Sequence, residues 1–292
     1  MDLKRFLEIS YKLYLHRDLN SIKSDFGKAL IIGGSKRYPL SVIIASKCAY
    51  VSSNGYTALS VPDSIYIPVV SQMNPTHIIE LLDNNDDSFL SKQDLYQLNK
   101  YDSILFGNGI LSSDENLKFL EKLIECYENN LVIDATGLML LSRNLDILKK
   151  KNNKSKILLT PHLGEASFLL RTKKEGRNPI LYREEAIEFC KKYNVNMLLK
   201  SSSSLYVNEK GETFESSYKE TTNLAKAGSG DGLAGYIVGL LSYATKIIDY
   251  DDVIMFSDNM IHSAAYQAKQ DLGVTSSILD VPTYISKIAK GK

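Results

Sequence analysis

The sequence predicts an α/β protein: a mainly parallel sheet covered by helices on both faces, with a small antiparallel edge. Three observations predict it. Short apolar runs alternate with longer stretches of helical periodicity, and strands separated by helices need crossover connections, which give a parallel sheet. Several apolar runs stop at glycine or at a small polar residue, as buried strands do when they enter a turn. After Lys200 two short β-prone runs flank a Gly-containing turn, the pattern of a hairpin.

The elements follow in order. Residues 1–26 form an N-terminal helical extension that begins with an amphipathic helix, in which Leu3, Phe6, Leu7 and Tyr11 recur at helical spacing. KALIIGG (28–34) is a buried strand ending at two glycines, Ser41 to Ser53 is helical, and TALSV is the next strand. SILFG (103–107) is a strand, and 114–129 is a helix with Leu117, Leu120, Leu123 and Ile124 on one face. LVIDAT (131–136), ILLTP (157–161) and NMLLK (196–200) are further strands. SLYV and TFESS flank the turn Asn208 to Gly211 as the antiparallel edge. The chain then turns helical over Asp231 to Ala244, Asp251 to Lys269 and Ser277 to Lys290. No linker-like stretch divides residues 1–292, so one α/β domain is expected.

Composition narrows the function. Thirty-five basic against 34 acidic side chains leave a net charge of +1, which argues against a nucleic-acid partner. At 44% hydrophobic and 24% charged, the chain is neither disordered nor fibrous. Cys48, Cys126 and Cys190 are scattered, as small buried hydrophobes are, and this fits a reducing, cytoplasmic compartment. The four histidines do not pair, so no protein-held metal site is expected, and no apolar run suggests a membrane span.

Ligands of open parallel sheets bind beyond the carboxyl ends of the strands. The segments standing there are GGSKRYP (33–39), GNG (107–109), DATG (134–137), TPHLGE (160–165), KSSSS (200–204) and AGSGDGLAG (227–235). Their glycines, hydroxyls and single charges suit a polyphosphate cleft. In the last, Gly228, Ser229 and Gly230 open a helix, whose free N–H groups and partial positive charge attract phosphate. Asp231 in that first turn is either a base toward an attacking hydroxyl or a helix cap. His162 is either a ligand contact or part of a helix start capped by Thr160 with Pro161 in the first position, and capping statistics favour the second. Asp134 either orients a phosphate-bound magnesium through water or bonds nearby backbone. Lys200 neutralises phosphate or is a solvated strand end. Neither a Walker loop nor GxGxxG is present.

In this order the segments KSDFGKALIIGGSKRY, LFGNG, VIDATGLMLL, LLTPHLGE, LLKSSSS and AGSGDGLAG resemble the NAD(P)H-hydrate dehydratases, over the chain from about Lys23 to the last helix. The resemblance implies a ribokinase-like fold. It also implies a repair reaction, in which hydrated NADH or NADPH is restored to the reduced coenzyme at the expense of ADP or ATP. The hydroxyl at C6 of the nicotinamide ring would be phosphorylated and phosphate eliminated. Asp231 would be the catalytic base. Gly228, Ser229 and Gly230 would hold the transferring phosphate, with magnesium neutralising charge. Lys200, Ser201, Ser202, Ser203 and Ser204 would hold the adenine nucleotide. Ser41, Gly107, Gly109 and His162 would contact the substrate. The partner copies would be those of a homo-oligomer, often a tetramer in this family.

Several positions depart from the family's pattern. Pro39, Leu40 and Ser41 stand where it has Gly-Gly-Ala. Asn108 replaces a proline, Thr136 the second aspartate of Asp-Ala-Asp, Ser201 a glycine and Ala227 the first glycine of the anion loop. Glu220 to Leu224 replace Gly-Asn-Pro-Gly-Met. Phosphate chemistry is thus better preserved than the substrate side. Two alternatives remain: a small-molecule kinase of the same superfamily, and a nucleotide-binding homologue that has lost catalysis.

Overall fold

The computed structural model describes residues 1–73, 78–80, 95–216, 218 and 220–290. A helix α1 (Leu3–Ser10) precedes strand β1 (Lys28–Ile32), and α2 (Ser41–Val51) leads to β2 (Tyr56–Ser60). A short α3 (Tyr66–Val70) and β3 (Ile78–Glu80) follow, then β4 (Ser103–Phe106) and α4 (Asp114–Cys126). The pattern continues through β5 (Asn130–Ile133), α5 (Thr136–Arg143), β6 (Lys156–Leu159), α6 (Leu163–Leu169) and α7 (Arg183–Tyr193). Then come β7 (Asn196–Leu199), β8 (Leu205–Val207), β9 (Thr213–Glu215), α8 (Ser229–Leu241), α9 (Tyr250–Leu272) and α10 (Val281–Ala289).

Among the described residues nine strands form one sheet in the order β3-β2-β1-β4-β5-β6-β7-β8-β9. β1 pairs in parallel with both β2 and β4, and the parallel ladder runs on to β7. β8 and β9 are antiparallel, as the hairpin reading expects. Ser217, at the end of the expected second run, lies outside the described residues.

Period-two alternation splits the core into two layers. Ala29, Ile31, Leu105, Val132, Leu158 and Leu198 pack on the face carrying α1, α2, α8, α9 and α10. Leu30, Ile104, Leu131, Ile133, Leu159 and Met197 pack on the face carrying α4, α5, α6 and α7. The strands are apolar at successive positions because both faces are covered.

The N-terminal segment differs from expectation. Its α-helix ends at Ser10, a widened turn covers Tyr11–Leu15, and a 3₁₀ turn covers Lys23–Phe26. Phe6, Ile9 and Leu13 are the buried set, while Leu3, Leu7 and Tyr11 are exposed. The helix is rotated so that Phe6 stacks on Phe256 of α9, with ring centroids 5.0 Å apart. Spacing alone could not choose between two apolar stripes that both have helical period.

The small residues of α8 act in packing. A Cβ on Gly235 would stand 2.0 Å from the carbonyl oxygen of Ala45, and one on Gly239 2.7 Å from that of Ala49. α8 therefore lies directly against α2, and this close approach fixes where its N-terminus meets the sheet. Parallel pairing puts the ends of β1, β4, β5, β6 and β7 along one edge. α8 begins at that same edge.

Candidate functional site

Five segments converge at the carboxyl edge: those after β4, β5, β6 and β7, and the head of α8. After β4 the chain makes a turn whose glycines have positive φ, 127° at Gly107 and 74° at Gly109. A Cβ on Gly107 would lie 2.0 Å from the carbonyl oxygen of Asp134, and one on Gly109 2.6 Å from that of Tyr38 and 3.1 Å from Ser41 Oγ. Both glycines thus have a packing reason to be glycine, and Gly109 brings the turn against the start of α2, where Ser41 is the first residue.

Between them sits Asn108, fully buried. Its Nδ2 donates to Asp231 Oδ1 at 2.6 Å and to Asp134 Oδ2 at 2.9 Å. Asp134, also buried, accepts at Oδ1 from Thr160 Oγ1 at 2.9 Å and from Lys200 Nζ at 2.5 Å. Asp134 is therefore bonded by side chains from three other strand ends. Among the described residues its side chain bonds no nearby backbone, so the second sequence expectation fails, and its three hydrogen bonds make it an anchor for the other strand ends.

Asp231 is not a helix cap. The cap residue of α8 is Gly228, at φ 92°, and it makes no side-chain capping bond. The Asp231 carboxylate instead turns to Asn108. Burial pushes its carboxyl up to about 6, the Asn108 amide pulls against that, Asp134 adds to the rise and Lys200 opposes it. The Lys200 side chain is only 14% exposed. Burial opposes its charge, yet Asp134 and Glu165 beside it hold its ammonium above the ordinary lysine range. Lys200 is thus not a solvated strand end.

His162 caps α6 itself. Its Nδ1 accepts from the N–H groups of Gly164 and Glu165 at 2.9 and 3.2 Å, and the His162 backbone N–H donates to Glu165 Oε2 at 2.9 Å. The cap expected at Thr160 is displaced two residues, because the Thr160 hydroxyl is committed to Asp134. Burial raises the Glu165 carboxyl, while Lys200 lowers it.

The loop after β7 divides. Ser204 Oγ donates to the buried Asp258 of α9, which ties that residue to the fold, and Ser201 Oγ donates to the Arg177 carbonyl at 3.4 Å. Ser202 is exposed and Ser203 half-buried. Asn108 is legible in the sequence only as a departure from the family's pattern. An amide flanked by two glycines at a strand end was the available signal.

These residues fit an anionic phosphate. The Ser229 hydroxyl is buried without a partner among the described residues, and a Cβ on Gly230 would come within 3.1 Å of Lys200 Nζ. The first N–H groups of α8 have no intrahelical acceptor. The loop ahead is pinned by Lys226, whose Nζ donates to the carbonyls of Val274, Thr275 and Ser276 at 2.9, 3.0 and 2.7 Å. Among the described residues no group of three or more His, Cys, Asp or Glu side chains could hold a metal ion. No helix of the described residues is long and apolar enough to cross a membrane.

Comparison with known proteins adds the family. The chain is 28% identical over 281 residues to the ADP-dependent (S)-NAD(P)H-hydrate dehydratase of Nitrosopumilus maritimus, covering 94% of this chain and 92% of that protein. It is 30% identical over 230 residues to the bifunctional NAD(P)H-hydrate repair enzyme of Salinibacter ruber, covering 77% of this chain. It spans only 42% of that longer protein, and under half of the other bifunctional relatives near it, 49% and 42%. The fold is similar to that of the ADP/ATP-dependent NAD(P)H-hydrate dehydratase of Bacillus subtilis co-crystallized with ATP and magnesium, with a TM-score of 0.81 at 18% identity, covering 98% of this chain and 96% of that one. The family model for NAD(P)H-hydrate dehydratase matches residues 29–289, from the first strand to the last helix. On that match, the chain belongs to the NAD(P)H-hydrate dehydratase family.

Proposed function

We propose that this chain dehydrates (S)-NAD(P)H-hydrate to NAD(P)H at the expense of ADP or ATP, as a lyase. The observation that carries the reading is the placing of Asp231. Among the described residues, an ionisable carboxylate with one unbonded oxygen stands in the first turn of α8, directly after a glycine loop with an unpartnered hydroxyl.

The residues have separable tasks. Asp231 takes the proton of the C6 hydroxyl while that oxygen bonds to the terminal phosphorus and the phosphoanhydride bond breaks. Phosphate then leaves C6 with the electrons of the C–O bond, a proton leaves C5, and the C5–C6 double bond of the reduced ring forms. The N–H groups of Gly228 and Gly230 and the Ser229 hydroxyl hold the phosphoryl oxygens as charge moves onto them. Lys200 supplies a fixed positive charge beside Gly230. With the carboxylates of Asp134, Asp231 and Glu165 around one ammonium, the cleft suits a polyphosphate that brings its own divalent cation. Magnesium would be held through phosphate oxygens and water, and would supply charge neutralisation. Ser41, Gly109 and His162 line the substrate side of this reading, and Lys200 to Ser203 the nucleotide side.

The reading treats residues 1–292 as one ribokinase-like domain, since the site segments gather at one edge of a single sheet. It places the reaction in a reducing, cytoplasmic compartment, where Cys48, Cys126 and Cys190 stay free. It also expects a homo-oligomer. Incubating the purified protein with hydrated NADH or NADPH, magnesium and either nucleotide tests it. Released inorganic phosphate in step with recovered reduced coenzyme supports the dehydratase. A stable phosphorylated product would replace it with the kinase reading, and bound nucleotide without turnover with the non-catalytic one.

A further inference from the structure

We propose that Asn108 is the positioning residue of this site: its amide ties the Asp231 carboxylate to the Asp134–Lys200 pair and so fixes the orientation and charge of the base. This rests on the role given to Asp231 above, and no motif of the sequence assigns it.

The geometry is specific. A carboxamide nitrogen has two N–H bonds. Asn108 spends them on two carboxylates from different elements, Asp231 on α8 and Asp134 after β5. The reverse amide orientation would aim its oxygen at two carboxylates, so the chemistry fixes which end is nitrogen. Among the described residues Asn108 makes the only side-chain hydrogen bond to Asp231. The Asn108 backbone is fixed as well. Its carbonyl accepts from Gly34 N at 2.8 Å, and a Cβ on Gly33 would stand 2.4 Å from that oxygen. The turn therefore cannot slide without breaking its contact with the loop after β1. Asp134, bonded in turn by Thr160 and Lys200, is the fixed end of the chain of bonds, and Asp231 is the free end.

The consequence is electrostatic. Asp231 faces Asp134 from the end of β5, Glu165 from α6, Lys200 from the end of β7 and the buried Cys48 thiol of α2. Burial and the two carboxylates favour its neutral form, whereas Lys200 and Asn108 favour the charged form that accepts a proton. A donor to one oxygen also leaves the other oxygen in a defined place for the substrate hydroxyl.

The test reads Asp231 without needing turnover. Carboxyl carbon NMR of the unliganded protein, with the Asp231 signal assigned by its loss in Asp231→Asn, gives the titration in wild type and in the isosteric Asn108→Leu. The expected result is a titration at least about one unit higher in Asn108→Leu, with ADP affinity by calorimetry within about twofold of wild type, since a lost donor favours the neutral acid. In wild type the Asn108 side-chain amide signals should move with the same midpoint as Asp231, and this arm stands even where the variant does not fold. An unshifted Asp231 in folded Asn108→Leu, or amide signals indifferent to its titration, would overturn the proposal. If wild type shows no turnover on hydrated coenzyme, the functional reading falls while the titration still decides the role of Asn108. If it turns over, the acid limb of kcat/KM should shift by the same amount in Asn108→Leu.

Discussion

Lys200 Nζ stands between the Asp134 carboxylate, 2.5 Å away, and Gly230, where an added Cβ would come within 3.1 Å. One ammonium therefore joins the buried anchor of the site to the loop expected to hold phosphate. Its strand end is reached 66 residues after Asp134 and 30 before Gly230, and no local pattern predicts that meeting.

Lys200→Met tests both halves of this contact. The variant leaves Asp134 buried with one charged partner gone, and breaking such a pair costs about 3 kcal/mol of folding stability. It also removes the fixed positive charge from the phosphate loop. Chemical denaturation should show the first effect, and calorimetry should show ADP or ATP binding weakened by at least about tenfold, the size of one lost charge-assisted contact.

Gly230→Val probes the loop alone. The added side chain would press on the Lys200 amine, and the space open to a phosphate beside α8 would shrink. Nucleotide affinity should fall while the melting temperature changes little, because Gly230 has ordinary helical backbone and the neighbouring amine is the end of a flexible side chain. Equal affinity in folded protein would argue against the anion-loop reading.

Asp231→Asn should raise stability at neutral pH. The folded carboxyl keeps its proton up to about 6, whereas the unfolded one releases it near 3.8, so the native state binds more protons between these values. Stability from this group is fully present below 3.8 and is lost as pH rises through about 6. Replacing the acid by an amide removes that loss, a gain of about 3 kcal/mol above pH 6 that vanishes at the acid end. Melting curves at several pH values check it, and a variant less stable than wild type at neutral pH would contradict the buried-acid account.

Gly235→Ala is the packing control. Its Cβ would strike the Ala45 carbonyl, and backbone cannot yield as a side chain tip can. A loss of at least about 2 kcal/mol is expected, as for overpacked cores. Because α2 and α8 must separate, Asp231 should also lose its register with Asn108, and turnover should fall with stability.

The sheet was legible because most of its strands are apolar runs ended by glycine or a small polar residue: KALIIGG and SILFG show their stops in the letters. The three-residue β3 was not, since Ile78–Glu80 is too short to carry a period. α8 was legible at its glycines, but their meaning was divided. Gly228 and Gly230 stand at the head of the helix, whereas Gly235 and Gly239 serve the contact with α2. The family's motifs pointed to Asp231, Lys200 and His162. What the residues do for one another lay beyond them. His162 caps α6 because Thr160 is drawn to Asp134, and Asp231 is held by an asparagine 123 residues earlier. Such bonds depend on which strand ends become neighbours, and that is decided by the order of the sheet.

The central claim is that Asp231, at the head of α8, is the base of a nucleotide-driven dehydration. The most direct measurement follows recovery of reduced nicotinamide absorbance from hydrated coenzyme with magnesium and ADP or ATP, using wild type and Asp231→Asn side by side. The account predicts recovery with wild type, a rate at least about a hundredfold lower in the variant, and nucleotide affinity nearly unchanged between them. Equal rates in the two proteins would contradict it.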